Sequence, residues 1–382
     1  MGRIRSLIRN SQFNWGSVLF IGGYHLLILI GLPIYFVFFS PSWGIIASAV
    51  ILLYLTGLSI AAGYHRFYSH ITYKANPIFE YLLLFFGTMA TQGSVIRWSF
   101  EHRIHHAFVD TEKDPYSIKK GFWFAHWGWI LEKSKPIEDR VVSDLLRKPL
   151  LVFQHRYYPS LMFLTNLVAT LFVGWLCGDF LGAFVFAWLV RLFFLHHFTW
   201  FINSLAHTWG ARTFCQELSA ADNFLISLVT FGEGYHNYHH AFAYDYRNGV
   251  RWYHFDPAKW LIWTMSKIGL AYKLKKNHRY FIEEQLLLDR KKLLLDAIHA
   301  SFDAQKEIHR EKITKLSESL LSKLAHVKKL RENYQTMKKE KKIEKEHLKA
   351  IYSEIRLAKK SFKEEYHHWS FLSRSLLKTK IS

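Results

Sequence analysis

Four stretches of this chain are so long and so poor in charge that water cannot host them, which restricts the fold before any motif is considered. They run over 17–40, 43–63, 161–177 and 180–202, the last interrupted only by Arg191. Each has about the 17–25 residues that a helix needs to cross a hydrocarbon core of roughly 30 Å. In lipid the backbone must satisfy its own hydrogen bonds, so the spans are expected as helices. The links at Pro41 and at Gly178-Asp179 are short, so the four pair into two hairpins. The expected fold class is all-α integral membrane.

Composition agrees. Half of the 382 residues are hydrophobic, and 14 Trp and 32 Phe sit beside a net charge of +20. Apolar bands in lipid with a basic surface at the headgroups reconcile these numbers, whereas a nucleic-acid binder leaves the apolar runs unexplained. The two short links carry no Lys or Arg, while the N-terminus, the 64–160 loop and everything after Asn203 carry many. The positive-inside rule then puts both termini and both large loops in the cytoplasm, on the inner membrane if the source is bacterial. An even number of spans is needed for this, so the apolar segment 77–96, with Gly87 and Gly93, is expected to lie on or dip into the interface. The N-terminal MGRIRSLIRN leads into a run too long for a signal-peptide core, so a retained first helix is expected. It also fits the loose myristoylation pattern, from which a spanning protein gains little. Cys177 and Cys215 are the only cysteines and form no CxxC pair.

No Gly or Pro follows Gly269. From about 281 the chain is rich in Lys, Glu and Leu with helical periodicity, as in LSESLLSKLAHVKKL, and holds 24 Lys and Arg against 15 Asp and Glu. One or two long amphipathic helices or a coiled coil are expected. The chain thus divides into 1–280, which carries the spans, and a charged helical extension, 281–382.

The 22 histidines are an excess, and three groups of them have a pattern. They are His65-Arg-Phe-Tyr-Ser-His70, His102-Arg-Ile-His105-His106 and His236-Asn-Tyr-His239-His240, with a smaller unit, Asn203-Ser-Leu-Ala-His207. Residues three and four apart share one helix face, so HxxHH can aim three imidazoles one way. Each group stands at the inner end of an apolar segment, so all can meet in one layer under the membrane. Nine imidazoles are too many for one ion. Two ions with four or five ligands each fit the count, with Asn203 holding a water. Imidazole suits Fe, Cu, Zn and Ni alike. Other histidines, among them His25, His126, His155, His196 and His197, are expected only to pack or to hydrogen-bond.

These boxes, with GEGYHNYHH at 232–240, resemble the membrane fatty acyl-CoA desaturases of the stearoyl-CoA (delta-9) type. The resemblance covers about residues 15–275 and includes DTEKDPYSIKKGFWFAHWGW at 110–129 and TWFINSLAHTWG at 199–210. It implies four transmembrane helices under a cytosolic helical cap that holds two iron ions (Fe2+). It implies as ligands His65, His70, His102, His105, His106, His207, His236, His239 and His240, with Asn203 acting through water and no catalytic residue beyond the ligands. O2 would be the co-substrate, and a cis double bond would form in a long acyl chain. Breaking an unactivated C–H bond with O2 needs a redox metal, which excludes zinc. Gln92, Trp98, Thr199 and Trp200 match positions that bend the family's acyl tunnel, and Gly57 and Leu53 match its closed end.

The sequence departs from the animal pattern at Phe100-Glu101 and Gly93-Ser94, where the family's CoA-binding face carries other residues. Lys119 and Lys120 could still meet phosphates; a phospholipid- or carrier-protein-bound acyl chain is the alternative substrate, and a histidine-box hydroxylase the alternative enzyme. A metal transporter would place its ligands near the bilayer midplane, which these are not. There is no GxGxxG, flavin site or haem-binding HPGG segment, so electrons are expected from a separate carrier: a cytochrome b5-like protein, a ferredoxin or a rubredoxin.

Overall fold

The computed structural model describes residues 12–300, 305–339 and 345–378; the basic N-terminus and its myristoylation pattern lie outside them. The chain is mostly helical and resolves into two compact units, one ending at Lys276 and the other beginning at Asn277. Among the described residues four helices are long and apolar enough to cross a membrane: Trp15–Phe38, Trp43–Ser69, Tyr158–Cys177 and Phe180–His207. This is a membrane protein, and its spans present many bare side chains, such as Leu29, Phe38, Trp43 and Trp175, as lipid requires.

Local chemistry sets the starts. Asn14 and Ser42 accept from the backbone N–H of Ser17 and Ile45, both at 3.3 Å, and so begin the first two spans. Gly178 takes a left-handed φ of 68° that ends the third span. Asp179 Oδ1 then accepts from Gly182 N–H at 2.7 Å to open the fourth.

Two spans run deeper than the apolar pattern predicts. The second is α-helical over Trp43–Leu58 and continues as a π-helix over Ser59–Ser69. The fourth contains a π-helical stretch, Ala183–Val190, before Arg191–Asn203. The segment expected at the interface is a 13-residue helix, Pro77–Met89, capped by Asn76. At 1.5 Å per residue it is about 20 Å long, too short to cross. It packs on the π-helical end of the second span. A two-residue antiparallel pair, Lys74–Ala75 with Ala271–Tyr272, ties the far end of this unit to the same place. The main core joins Tyr64, Tyr68, Leu83, Ile96, Phe100, Leu195 and Phe231.

The second unit corrects an expectation. Where one or two long helices or a coiled coil were expected, the described residues form three helices, Arg279–His299, Lys306–Lys339 and Lys345–Lys378. Their apolar stripes share one core of Leu287, Leu294, Ile313, Leu320, Leu324 and Trp369. Trp369 is fully buried, and its Nε1–H donates to Ser317 Oγ at 3.1 Å. A single stripe on a polar helix needs partners, and here it finds them within the chain.

Candidate metal centre and adjoining cavity

The spacing of five between His65 and His70 fits no α-helical face. The π-helix resolves it: with i→i+5 bonding, His70 N–H donates to His65 C=O at 3.2 Å, and both rings turn inward. The second box lies on Val95–Phe108 and the third on the short helix His236–Ala241. His207 follows Arg191–Asn203 in a single tight turn.

These elements bring nine imidazoles into two groups. One holds His65, His70, His102, His106 and His239; the other holds His105, His207, His236 and His240. Within each group one ligand nitrogen from every residue lies within 4.8 Å of the others. His65 and His239 Nε2 are 2.9 Å apart, His239 and His106 Nε2 2.9 Å, and His70 and His102 Nε2 2.7 Å. In the second group His236 Nε2 lies 3.1 Å from both His207 and His240 Nε2.

The outer nitrogens fix the tautomers. His65 Nδ1–H donates to Glu233 Oε2 at 2.8 Å, and His105 Nδ1–H to Asp114 Oδ1 at 2.9 Å. His207 Nδ1–H donates to Ser219 Oγ at 2.6 Å, and Ser219 donates on to Asp110 at 2.5 Å. With the proton outside, each of these three rings turns a bare Nε2 lone pair inward. Lone pairs at such separations repel. An ion with metal–nitrogen bonds of about 2.1 Å would hold neighbouring donors about 3 Å apart and turn repulsion into coordination. The residues therefore fit a metal in each group. Burial, reinforced by neighbouring imidazoles, pushes His70, His102, His106, His236, His239 and His240 well below the usual histidine range. They stand neutral, as ligands must.

Outside the ligands lies a network that the boxes did not reveal. Arg66, in the first box, donates to Glu233 Oε1 at 2.8 Å and to Asp256 Oδ1 at 2.9 Å. Burial alone would raise the Glu233 carboxyl, but His65 and Arg66 overcome it and hold it at about 2. Glu233 thus stays charged against His65. The only sequence signal was an acid inside GEGYH and another inside DTEKD, each next to a box. Acids so placed serve to orient the imidazoles.

A cavity of about 620 Å³ runs beside both groups. His65 and His102 of the first group and His105 and His236 of the second line it, together with Asn203. Gln92 and Thr199, 107 residues apart, meet there through a 3.0 Å hydrogen bond. Trp98 stacks on His102 at 4.9 Å, and Trp200 forms part of the wall. Gly57 lines the cavity against the ring of Phe231, which a Cβ at 57 would meet at 2.2 Å. Phe231 itself has a left-handed φ of 57° and was not anticipated. Three expected positions fall elsewhere. Leu53 packs against the edge of the core and does not line the cavity. Lys119 and Lys120 are exposed and away from it, Lys120 lying over the Phe124 ring. Glu101 lines the cavity beside Arg97, and burial, only partly offset by Arg97, pushes its carboxyl up to about 7.

Apolar spans with two histidine groups along a mostly apolar cavity define a membrane protein whose side chains can hold metals next to an apolar space. The fatty acid desaturase family model matches residues 41–275, and the chain belongs to that family. It is 44% identical over 277 residues to a probable acyl-CoA desaturase of Schizosaccharomyces pombe, covering 71% of this chain and 58% of that one. It is 42% identical over 239 residues to acyl-CoA desaturase 1 of Saccharomyces cerevisiae, covering 62% and 47%. With stearoyl-CoA desaturase of Capra hircus it shares 36% over 274 residues, covering 69% and 75%. The chain thus spans about half the length of the two fungal relatives.

Proposed function

We propose that this protein is an O2-dependent acyl-CoA desaturase that places a cis double bond, at the delta-9 position, in a long acyl chain. The observation that carries the reading is the cavity: one apolar channel touches both histidine groups, so a single chain can present neighbouring carbons to both. The reaction balances as two substrate hydrogens, one O2, two electrons and two protons giving an alkene and two waters.

The nine histidines are proposed to hold two iron ions, five ligands to one and four to the other, with Asn203 acting through a water. Iron, when bound, supplies the redox chemistry by which O2 takes hydrogen from an unactivated C–H bond. The chain's own contribution is position. Glu233, Asp114 and Ser219 keep three ligand rings aimed inward. The Gln92–Thr199 bond, Trp98 and Trp200 shape the wall past which the acyl chain bends, and Gly57 with Phe231 forms the far end. Holding the reacting carbons in one place, out of water, selects both position and cis geometry.

The four spans are proposed to form two hairpins beneath a cytosolic cap, with both termini inside and residues 281–382 as a separate extension. Electrons would come from an external cytochrome b5-like protein, ferredoxin or rubredoxin, drawn by the basic surface. The names of the relatives support a CoA thioester as the acyl carrier. Lipid analysis of a desaturase-deficient host expressing this chain tests the reading. Monounsaturated C16 and C18 chains with the double bond at one position are expected; hydroxylated chains, or saturated chains only, would refute it.

A further inference from the structure

Four histidines outside the two groups surround one side chain. The rings of His25, His126, His196 and His197 lie 6.4, 5.8, 5.3 and 5.0 Å from that of Trp200. They come from three elements: the first span, the π-helical turn Phe124–Gly128 and the fourth span. Trp200 is buried and forms part of the cavity wall, one residue past the Thr199 that bonds Gln92.

Their nitrogens do not converge as those of the metal groups do; those of His25, His197 and His126 form a line. His25 Nδ1 lies 2.7 Å from the Ile21 carbonyl, which can only accept, so Nδ1 carries the proton. His25 Nε2 must then accept from His197 Nε2–H at 3.1 Å. His197 Nδ1 in turn accepts from His126 Nε2–H at 3.0 Å, and His126 Nδ1 accepts from the Ser204 hydroxyl at 2.9 Å, which for this turns from the Trp200 carbonyl 3.1 Å away; that carbonyl keeps the Ser204 N–H at 3.2 Å. Separately, His196 Nε2–H donates to the Ala90 carbonyl at 3.1 Å, and its Nδ1 accepts from the Tyr24 hydroxyl at 2.9 Å. One set of neutral tautomers satisfies every imidazole nitrogen. The direction of the whole line follows from a single backbone carbonyl, and no nitrogen is left over for a metal. Apolar side chains would pack around an indole equally well. A directional line across three elements does something packing alone does not: it ties the indole's surroundings to one register, because breaking any link leaves buried or partly buried polar atoms without a partner.

We propose that this line of imidazoles is a positioning clamp for Trp200, and that through Trp200 it fixes which acyl carbons lie against the histidine groups. The inference rests on the desaturase reading. Displacing a positioning group by roughly 1 Å is enough to change what reacts, so loosening the clamp alters the product before it alters the fold.

The test uses the full-length protein in a desaturase-deficient host, with double-bond positions mapped and metal measured on the purified protein. His197→Leu removes two links of the line, His197→Gln keeps a donor and an acceptor, and His25→Phe cuts the line at its end. The expected result is a severalfold rise in off-position isomers for His197→Leu, a smaller rise for His25→Phe, and near wild-type positions for His197→Gln. Metal per chain stays at the wild-type value in all three. A metal-loaded His197→Leu protein with the wild-type isomer ratio overturns the clamp. If that variant fails to accumulate, the same outcome for His25→Phe overturns it. Independently of turnover, nitrogen spectra of labelled histidine should report His25 as the Nδ1–H tautomer and His197 as Nε2–H; the reverse at His197 overturns the line. A wild type that makes no alkene removes the desaturase reading and the clamp with it. An active wild type beside variants with unchanged isomers removes the clamp alone.

Discussion

Glu233 has two duties at once, orienting His65 and neutralising Arg66, and neither can be dropped without cost. Glu233→Gln keeps the shape but loses the charge. Losing such an outer partner weakens metal binding about 10–100-fold. Titration of the purified variant with ferrous iron should give that loss, and wild-type affinity would show that Glu233 does not support the ligand. Gly57 leaves no room for a side chain, because a Cβ there would meet the Phe231 ring at 2.2 Å. A Trp there must displace the Phe231 ring from the cavity wall. Each buried methylene is worth about 0.8 kcal/mol, about fourfold in binding per carbon lost. Competition between C14, C16 and C18 substrates should shift toward shorter chains in Gly57→Trp, and the double mutant with Phe231→Ala should recover part of the C18 preference. An unchanged length distribution in the metal-loaded single mutant would mean that position 57 does not limit the cavity.

The buried histidines also set a pH dependence. Six of them stand well below their ordinary value of 6.5 when folded. An unfolded chain takes up protons below about 6.5 that the folded imidazoles refuse, so stability rises with pH there and falls as pH drops through that value. Denaturation midpoints of protein stripped of metal should therefore fall between pH 7.5 and pH 5.5; constant midpoints would contradict the burial of neutral imidazoles.

At the scale of elements, the sequence was most legible where one period or one length decides the outcome. Span lengths of 17–25 residues located the four apolar helices found among the described residues, whereas each HxxHH divides: His102 and His106 share one group and His236 and His240 the other, while His105 and His239 each join the opposite group. The π-helix at Ser59–Ser69 was legible only as an anomaly, a box whose spacing of five suits no α-helix. It packs against Pro77–Met89, a tertiary contact that local pattern does not encode. The outer acids were invisible for a similar reason: His65 and Glu233 are 168 positions apart, and no periodicity links them. Leu53 was misplaced because a family position says which helix a residue sits on but not which way its side chain turns. The three-helix unit was under-counted because its apolar stripe reads the same in a coiled coil and in a bundle. Trp369→Ala should cost that unit about 3–5 kcal/mol. Hydrogen exchange over 279–378 would register the loss as faster exchange, and unchanged protection would mean that Trp369 is not its centre.

At the scale of the whole molecule, the membrane organises the chemistry. Apolar spans fix a layer, the layer collects histidines from four distant parts of the chain, and in the proposed function the cavity beside them takes the acyl chain. Tags at either end should both be reached from the cytoplasmic side; a C-terminus on the opposite side would mean an odd number of crossings and a different placement of the boxes. The claim on which all else depends is that the two histidine groups are two metal sites. Metal analysis of the purified protein, with His106→Ala and His236→Ala as variants of one group each, tests it most directly. About two irons per wild-type chain and about one in each variant are expected. One zinc and no iron in the wild type, or a full complement in both variants, would contradict it.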